Sequence, residues 1–451
     1  SSNPERTRKA NDIFERAGSL RNDVRVILED SHTLCSLLRE FAMMSLSKSG
    51  RYHLKSKMKA LYSWKGQALL PSKSQLVVQF PRSGRGSNKP FSNPFHNELV
   101  MIRKFEDDFS VLTSLQRPKK VTIKGSDGYA YNMLVKRDIL RKDMNFLELN
   151  NVLNNVLAKD PEARRRNLFI RTYAVVPLNE ECGIVEWREN MIQLRSAISE
   201  TLLLEGHIVK PIVSDCSKIW EDKRKTPSDK FLLASKKFPQ LFHKWFLNRF
   251  TTPSAWMAAR TRYARSLAVM SMVGSVVGLG DRHSENILLD STMGECMHVD
   301  FNCMFWKGLE FKCPEQVPFR LTPNVVDGLG CMGYNGMFRE VCTVTMRVLR
   351  ENKEMIVSVL ETLVHDPLAE WMKTRTGNLS ASSTNRHVES KRSDAGADNA
   401  RGVIRKVTGV LDGQAESVLP QSVEMQVSSL IQTATDPSNL GRMFMGWAAY
   451  M

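Results

Sequence analysis

Long hydrophobic runs are missing from this chain of 451 residues: the longest nearly apolar stretch, Ala268 to Gly280, is too short to cross a bilayer. The opening SSNPERTRKA does not read as a signal peptide. A cytosolic or nuclear setting with no membrane partner is therefore expected. Cysteine is sparse, with 8 residues that form no CxxC pair and no Cys/His cluster at zinc spacing. That pattern points to reduced thiols and no structural metal. An acidic surplus is also lacking, since the net charge is +16. The basic residues lie in short clusters such as Arg164-Arg-Arg, Lys223-Arg-Lys and Arg117-Pro-Lys-Lys, without regular aromatic interleaving. Such a charge suits nucleic acid, a solvated face, an ATP-facing surface or an acidic partner. With 42% apolar and 25% charged residues, the composition is that of a globular protein of two to four domains.

What is present centres on Gly278 to Asn302, GLGDRHSENILLDSTMGECMHVDFN. Asn286-Ile-Leu-Leu and Met297-His-Val read as two strands around a turn at Ser291-Thr-Met-Gly294. A hairpin symmetric about Met293 places Asn286 opposite Asp300, two oxygen donors able to hold Mg²⁺. Asp281, on the entering loop, is placed for a general base. One carboxylate for a hydroxyl and an Asn/Asp pair for metal is the set that phosphoryl transfer needs. An ordinary acidic hairpin with a stray His283 is the competing explanation.

Earlier in the chain, residues 1–70 look helical, with Leu34, Leu37, Leu38, Phe41 and Met44 on one face. Residues 71–97 read as a linker. Lys119 to Lys124 and Tyr129 to Lys136 flank Gly125-Ser-Asp-Gly128, a hairpin that carries Lys136 near Arg117-Pro118. The preceding loop, Ser114 to Lys119, has no glycine, so as a phosphate lid it would use backbone N–H groups, Ser114 and basic side chains such as Arg117. A helix from Asp143 to Ala158 follows, and either Asp138 or Asp143 could pair with Lys136. Leu168 to Pro177 reads as a buried strand and Ile184 to Arg188 as a second. Trp187 would there stack on a purine or lie in the core. Helices are expected at Met191–Glu205, Lys237–Phe250, Ser254–Val277 and, as a pair, Phe338–His365. A loop of about twenty residues follows Asn302 and could receive an acceptor. Residues 373–418 lack periodicity, and the apolar ending should dock on the helical part.

These stretches carry a resemblance. Gly280-Asp-Arg-His-Ser-Glu-Asn-Ile287, His298-Val-Asp-Phe-Asn302 and Val317-Pro-Phe-Arg-Leu-Thr322 resemble the phosphatidylinositol-3-kinase-related protein kinases. Leu115 to Lys120, Arg171 to Pro177, Glu181-Cys-Gly183, Gly446-Trp447 and Tyr450-Met451 look most like a DNA-damage-checkpoint member of that family. The resemblance implies an α+β, bilobal protein-kinase-like fold preceded by a helical segment. Residues 1–70 would end the helical FAT region, 98–190 form the N-lobe, 191–372 the C-lobe, 373–418 a disordered regulatory linker and 419–451 the FATC tail. It also implies ATP and Mg²⁺ as cofactors. Asp281 would be the base, with His283 near the transferring phosphate and Asn286 and Asp300 on the metal. Lys136 would contact the phosphates, Trp187 the adenine face, and the backbone of Glu186 and Arg188 its edge, with Asp143 deep in the nucleotide pocket. Substrates would be proteins with Ser or Thr followed by Gln. The setting would be nuclear, with activator proteins and a regulatory subunit that recruits the kinase to protein-coated single-stranded DNA, as a dimer of heterodimers. A phosphoinositide kinase on the same fold is disfavoured by the lack of a multi-lysine run after Asp300. A silent scaffold would require all of Lys136, Asp281, Asn286 and Asp300 to be idle.

Overall fold

A computed structural model describes residues 22–46, 48–73, 99–114, 116–364, 400–414 and 419–451. The chain forms two compact units, residues 1–147 with 173–189, and residues 148–172 with 190–451. The first is rich in sheet and the second largely helical, the α+β, bilobal division the resemblance implies.

In the first unit, α1 (Asn22–Met43) leads to β1 (Gly50–His53), then β2 (Ile102–Val111), β3 (Lys119–Gly125), β4 (Ala130–Lys136), β5 (Val175–Pro177) and β6 (Gly183–Glu186). They form one antiparallel sheet in the order β1-β2-β3-β4-β6-β5. Alternate residues of β3 point into the core, as a half-buried strand requires. The β3–β4 register, from Lys119 with Val135 to Lys124 with Ala130, is the expected hairpin. Its turn uses Gly128 at φ 82°, a conformation glycine adopts without strain.

The helical expectation for residues 1–70 is only partly met. Residues 1–21 lie outside the described set, and Gly50–His53 is a strand paired with β2. Leu54, Leu61, Trp64 and Leu70 share one apolar core with Phe105, Phe109 and Ile123 of the sheet. Position 70 is thus not a packing boundary. The buried strand expected over Leu168–Pro177 shrinks to β5. Upstream, Asn154 accepts the Ile170 N–H (2.6 Å) and donates to its carbonyl (2.8 Å), taking the place of a neighbouring strand.

The second unit is built on α2 (Pro253–Val277), whose last eleven residues are all buried. Thr252 caps its start by accepting the Ala255 N–H. Its end is set by Gly278 at φ 61°, where a Cβ would come within 2.3 Å of the Trp306 ring. Met191–Gln193, expected as helix, is instead β7, because it pairs with β8 (Ile287–Asp290), itself paired with β9 (Cys296–His298). The helix begins only at Leu194, and the one expected from Lys237 begins at Phe242. Helices Val209–Glu221 and Pro227–Lys237 were not anticipated. The second carries a readable signal, a Thr226 cap followed by proline. The pair Met337–Glu351 and Lys353–Val364 is as expected.

Residues 400–411, within the segment expected to be disordered, are helical, with Val407 and Leu411 buried. Residues 365–399 and 415–418 lie outside the described set. The ending docks as expected: Trp447, Ala448, Ala449, Tyr450 and Met451 are buried. Arg320, also buried, donates to the carbonyls of Trp447 (2.8 Å), Ala448 (2.8 Å) and Met451 (3.4 Å). No described helix is long and apolar enough to cross a membrane.

Candidate active site

The hairpin from β8 to β9 forms, but its register is not the expected one. Ile287 pairs with His298 and Leu289 with Cys296, and the Val299 N–H donates to the Asn286 carbonyl at 3.0 Å. Asn286 therefore does not lie opposite Asp300. The turn holds four residues, an even number, and cannot be centred on Met293. Asp290 fixes it, accepting from the N–H groups of Thr292 (2.8 Å) and Met293 (3.0 Å) and from the Thr292 hydroxyl (2.6 Å). Along a strand, a slip by one residue would send Asp300 to the other face. The ladder has ended at His298, however, and Asp300 has φ 59°. Strand alternation no longer governs its side chain.

What joins the acidic groups is a set of buried polar contacts. Arg282 donates from Nε to the Gly280 carbonyl (2.9 Å), from Nη1 to that of Val299 (2.9 Å) and from Nη2 to that of Asp300. Asn286 Nδ2 donates to the Asp281 carbonyl (2.9 Å). The Asp281 N–H is held by both oxygens of Glu315, at 2.9 and 3.0 Å. Asp281 has φ 57°, a left-handed conformation that a non-glycine residue keeps only when its surroundings hold it. Arg282 is buried, which lowers its affinity for a proton against the pull of Asp300 and Asp281. Burial raises the Glu315 carboxyl, and its bond to the Asp281 amide opposes that rise.

The donor set suits a hard cation. Asn286 commits its nitrogen to Asp281, leaving Oδ1. Asp300 accepts from the Asn302 backbone N–H (3.3 Å) and side-chain amide (2.9 Å) through Oδ1, leaving Oδ2. Amide and carboxylate oxygens are the ligands Mg²⁺ takes. Burial lowers the His283 imidazole despite Asp281 and Glu285. Its Nδ1 accepts the Glu285 N–H at 3.2 Å, so the neutral ring bears its proton on Nε2. A cavity of about 420 Å³ is lined by Asp281, His283, Cys313 and Glu315, with Phe444 and Trp447 of the C-terminal segment. The loop after Asn302 is pinned rather than structureless. Gly280 N–H donates to Cys303 O (2.7 Å), Trp306 N–H donates to Gly278 O (2.8 Å), and Lys307–Glu310 is a 3₁₀ turn.

In the first unit, Lys136 Nζ lies 2.6 Å from Asp138 Oδ2. Asp143 is buried in the first turn of the helix Arg141–Lys159. Trp187 is half-buried rather than in the core, with the Lys120 ammonium 4.9 Å from its ring centre. The Glu186 N–H donates to Ala174 O (2.8 Å), so that N–H is already engaged. Arg188, an exposed residue, turns Nε to the Glu186 carboxylate (3.2 Å). Arg117, at φ 45°, donates to the Leu46 carbonyl (3.0 Å), and its N–H donates to Ser114 O (2.9 Å). Arg282, Glu315 and Arg320 make contacts that the sequence does not signal. Their partners are main-chain groups, which leave no mark in side-chain identity.

Residues 128–373 match the family described as phosphatidylinositol 3- and 4-kinase, and residues 420–451 match the FATC domain. The chain is 41% identical over 412 residues to protein kinase rad3 of Schizosaccharomyces pombe, covering 90% of this chain and 16% of that protein. It is 44% identical over 392 residues to serine/threonine-protein kinase ATR of Oryza sativa subsp. indica, covering 85% and 14%. Among solved structures, the FAT and kinase domain of CtTel1 superposes with a TM-score of 0.78 at 30% identity, over 99% of this chain and 30% of that one. The chain thus spans only a small part of the curated relatives it matches. It belongs to the phosphatidylinositol 3- and 4-kinase family and carries a FATC domain.

Proposed function

We propose that this chain is the catalytic part of an ATP-dependent serine/threonine protein kinase of the DNA-damage and replication-stress checkpoint. The supporting observation is that Asp281, Asn286 and Asp300 are tied together through Arg282 and the Asp281 carbonyl. Asp281 orients the acceptor hydroxyl and takes its proton. Neutral His283, with its proton on Nε2, donates toward the transferring phosphoryl group. Asn286 and Asp300 hold Mg²⁺, which supplies charge neutralisation on the phosphates when bound. Lys136, fixed by Asp138, contacts the phosphates. Trp187 supports the adenine face, the Glu186 carbonyl and Arg188 backbone its edge. Ser114 and Arg117 belong to the loop over the phosphates, and Asp143 to the nucleotide pocket.

The relatives' names support a protein acceptor with Ser or Thr as the site of transfer, and a Gln after that residue is part of the proposal. The loop after Asp300 agrees, holding only Lys307 and Lys312 before Pro318, too few for a polyphosphorylated headgroup. The family also includes lipid kinases by its description, so phosphoinositide is the second acceptor to assay. A nuclear setting, activator proteins, a regulatory subunit bound to protein-coated single-stranded DNA and a dimeric assembly complete the proposal. Labelled phosphate transfer to matched Ser-Gln and Ser-Ala peptides and to phosphoinositide tests it, with Asp281→Ala as control. Transfer to Ser-Gln peptide is expected, and labelling of lipid alone would reject it.

A further inference from the structure

We propose that Arg282 is the positioning residue that sets the metal-binding carboxylate of Asp300 relative to the base, Asp281. This inference rests on the kinase reading of the site. Arg282 lies next to Asp281 in sequence, yet two of its three bonds go to the other loop, at Val299 and Asp300. The third returns to Gly280, on the far side of Asp281. One planar group thus spans the main chain on both sides of the base and reaches the main chain of the metal ligand. Both aspartates have positive φ, 57° and 59°, so neither loop rests in a conformation its residue prefers.

Other contacts close the same frame. Asn286 bonds the Asp281 carbonyl, and the Val299 N–H bonds the Asn286 carbonyl. Arg282 is 3% exposed, so water cannot replace its five donors. The geometry needs a fork. An ammonium donates from a single point and could satisfy one or two of these carbonyls at once, not all three across the two loops.

Arg320 supplies the matched control. It is equally buried and likewise donates to three carbonyls, but at Trp447, Ala448 and Met451. Loosening there should lower stability and free Trp447 at the cavity wall, with the bonds to the Asp300 main chain intact. The experiment measures binding of a fluorescent ATP analogue to the full chain as Mg²⁺ is titrated, alongside the thermal unfolding midpoint and kcat. The variants are Arg282→Lys, Arg320→Lys and Asp300→Ala. For Arg282→Lys, the Mg²⁺ concentration at half-maximal binding should rise about tenfold and kcat fall about 10-fold to 100-fold, metal-free binding being unchanged. Arg320→Lys should leave the Mg²⁺ midpoint within about twofold of the parent while lowering the unfolding midpoint. The inference is overturned if Arg282→Lys keeps the parent's Mg²⁺ midpoint while Asp300→Ala loses metal-dependent binding. It is overturned also if Arg320→Lys shifts that midpoint equally, since the effect would then be general loosening. If Asp300→Ala retains the parent's metal dependence, the reading of the site fails and carries this inference with it.

Discussion

In the first unit, Lys136 and Asp138 bond each other directly at the end of β4, with 21% and 16% of their side chains in solvent. In the second, Asp281 and Asp300 are held through their main chains, by Glu315 from 34 residues away and by buried Arg282. The difference separates two ways of fixing a charge. A partly exposed pair two residues apart is held through its own side chains. A main-chain clamp leaves carboxylate oxygen, Oδ2 in the case of Asp300, for a hydroxyl or a cation, and makes its position depend on buried partners.

The largest expected effect breaks the clamped side at its centre. Asp281→Ala should lower phosphate transfer by about 10² to 10⁴, the range of general acid–base groups, with unfolding little changed. Single-turnover transfer to a Ser-Gln peptide reads this, and parental turnover would remove Asp281 from the role of base.

Next comes the same device at the C-terminal segment. Arg320→Met leaves three carbonyls of that segment without their buried donor, and a buried acceptor left unsatisfied costs about 1–3 kcal/mol. Denaturant unfolding should show that loss, together with faster proteolysis between Arg442 and Met451. An unchanged profile would mean that the apolar contacts of Trp447 and Tyr450 suffice.

How far each region could be read from sequence follows the same division. The β3–β4 hairpin and the long helix ending at Val277 were legible, because periodicity and turn glycines record them, while the proposal of Asp281, Asn286 and Asp300 as site residues rests on side-chain type. The register about Met293 was not, since the length of the turn depends on how Asp290 caps it. Nor was the strand at Met191–Gln193, whose ladder partner lies near residue 289. The clamps were hidden for the same reason. Arg282 and Glu315 bond backbone atoms, which every residue offers alike.

On the first-unit side, the pair itself can be sharpened. Asp138→Asn should raise KM for ATP up to about fivefold with kcat nearly constant, as fits a partly exposed ion pair worth about 1 kcal/mol. Steady-state kinetics of Asp138→Asn beside Asp143→Asn decides which acid matters. A larger effect at Asp143 would transfer the role to the helix Arg141–Lys159.

The smallest effect tests whether the first unit also contains a clamp. Lys119 is 5% exposed, and its ammonium donates to the Ala42 carbonyl at 2.8 Å, in the last turn of α1. A cation there suits the helix end, but burial still lowers the group to about 8. Below that pH the folded and unfolded chains both carry the proton, and the penalty for a buried charge is fully present. Between about 8 and the ordinary lysine value the unfolded chain holds more protons, so stability rises with pH. Above both values the contribution is constant. Urea unfolding at pH 7.5, 9 and 10.5 should therefore show a climb that Lys119→Met lacks. If both chains respond alike, Lys119 is solvated in practice, and main-chain clamping of charge belongs to the second unit alone.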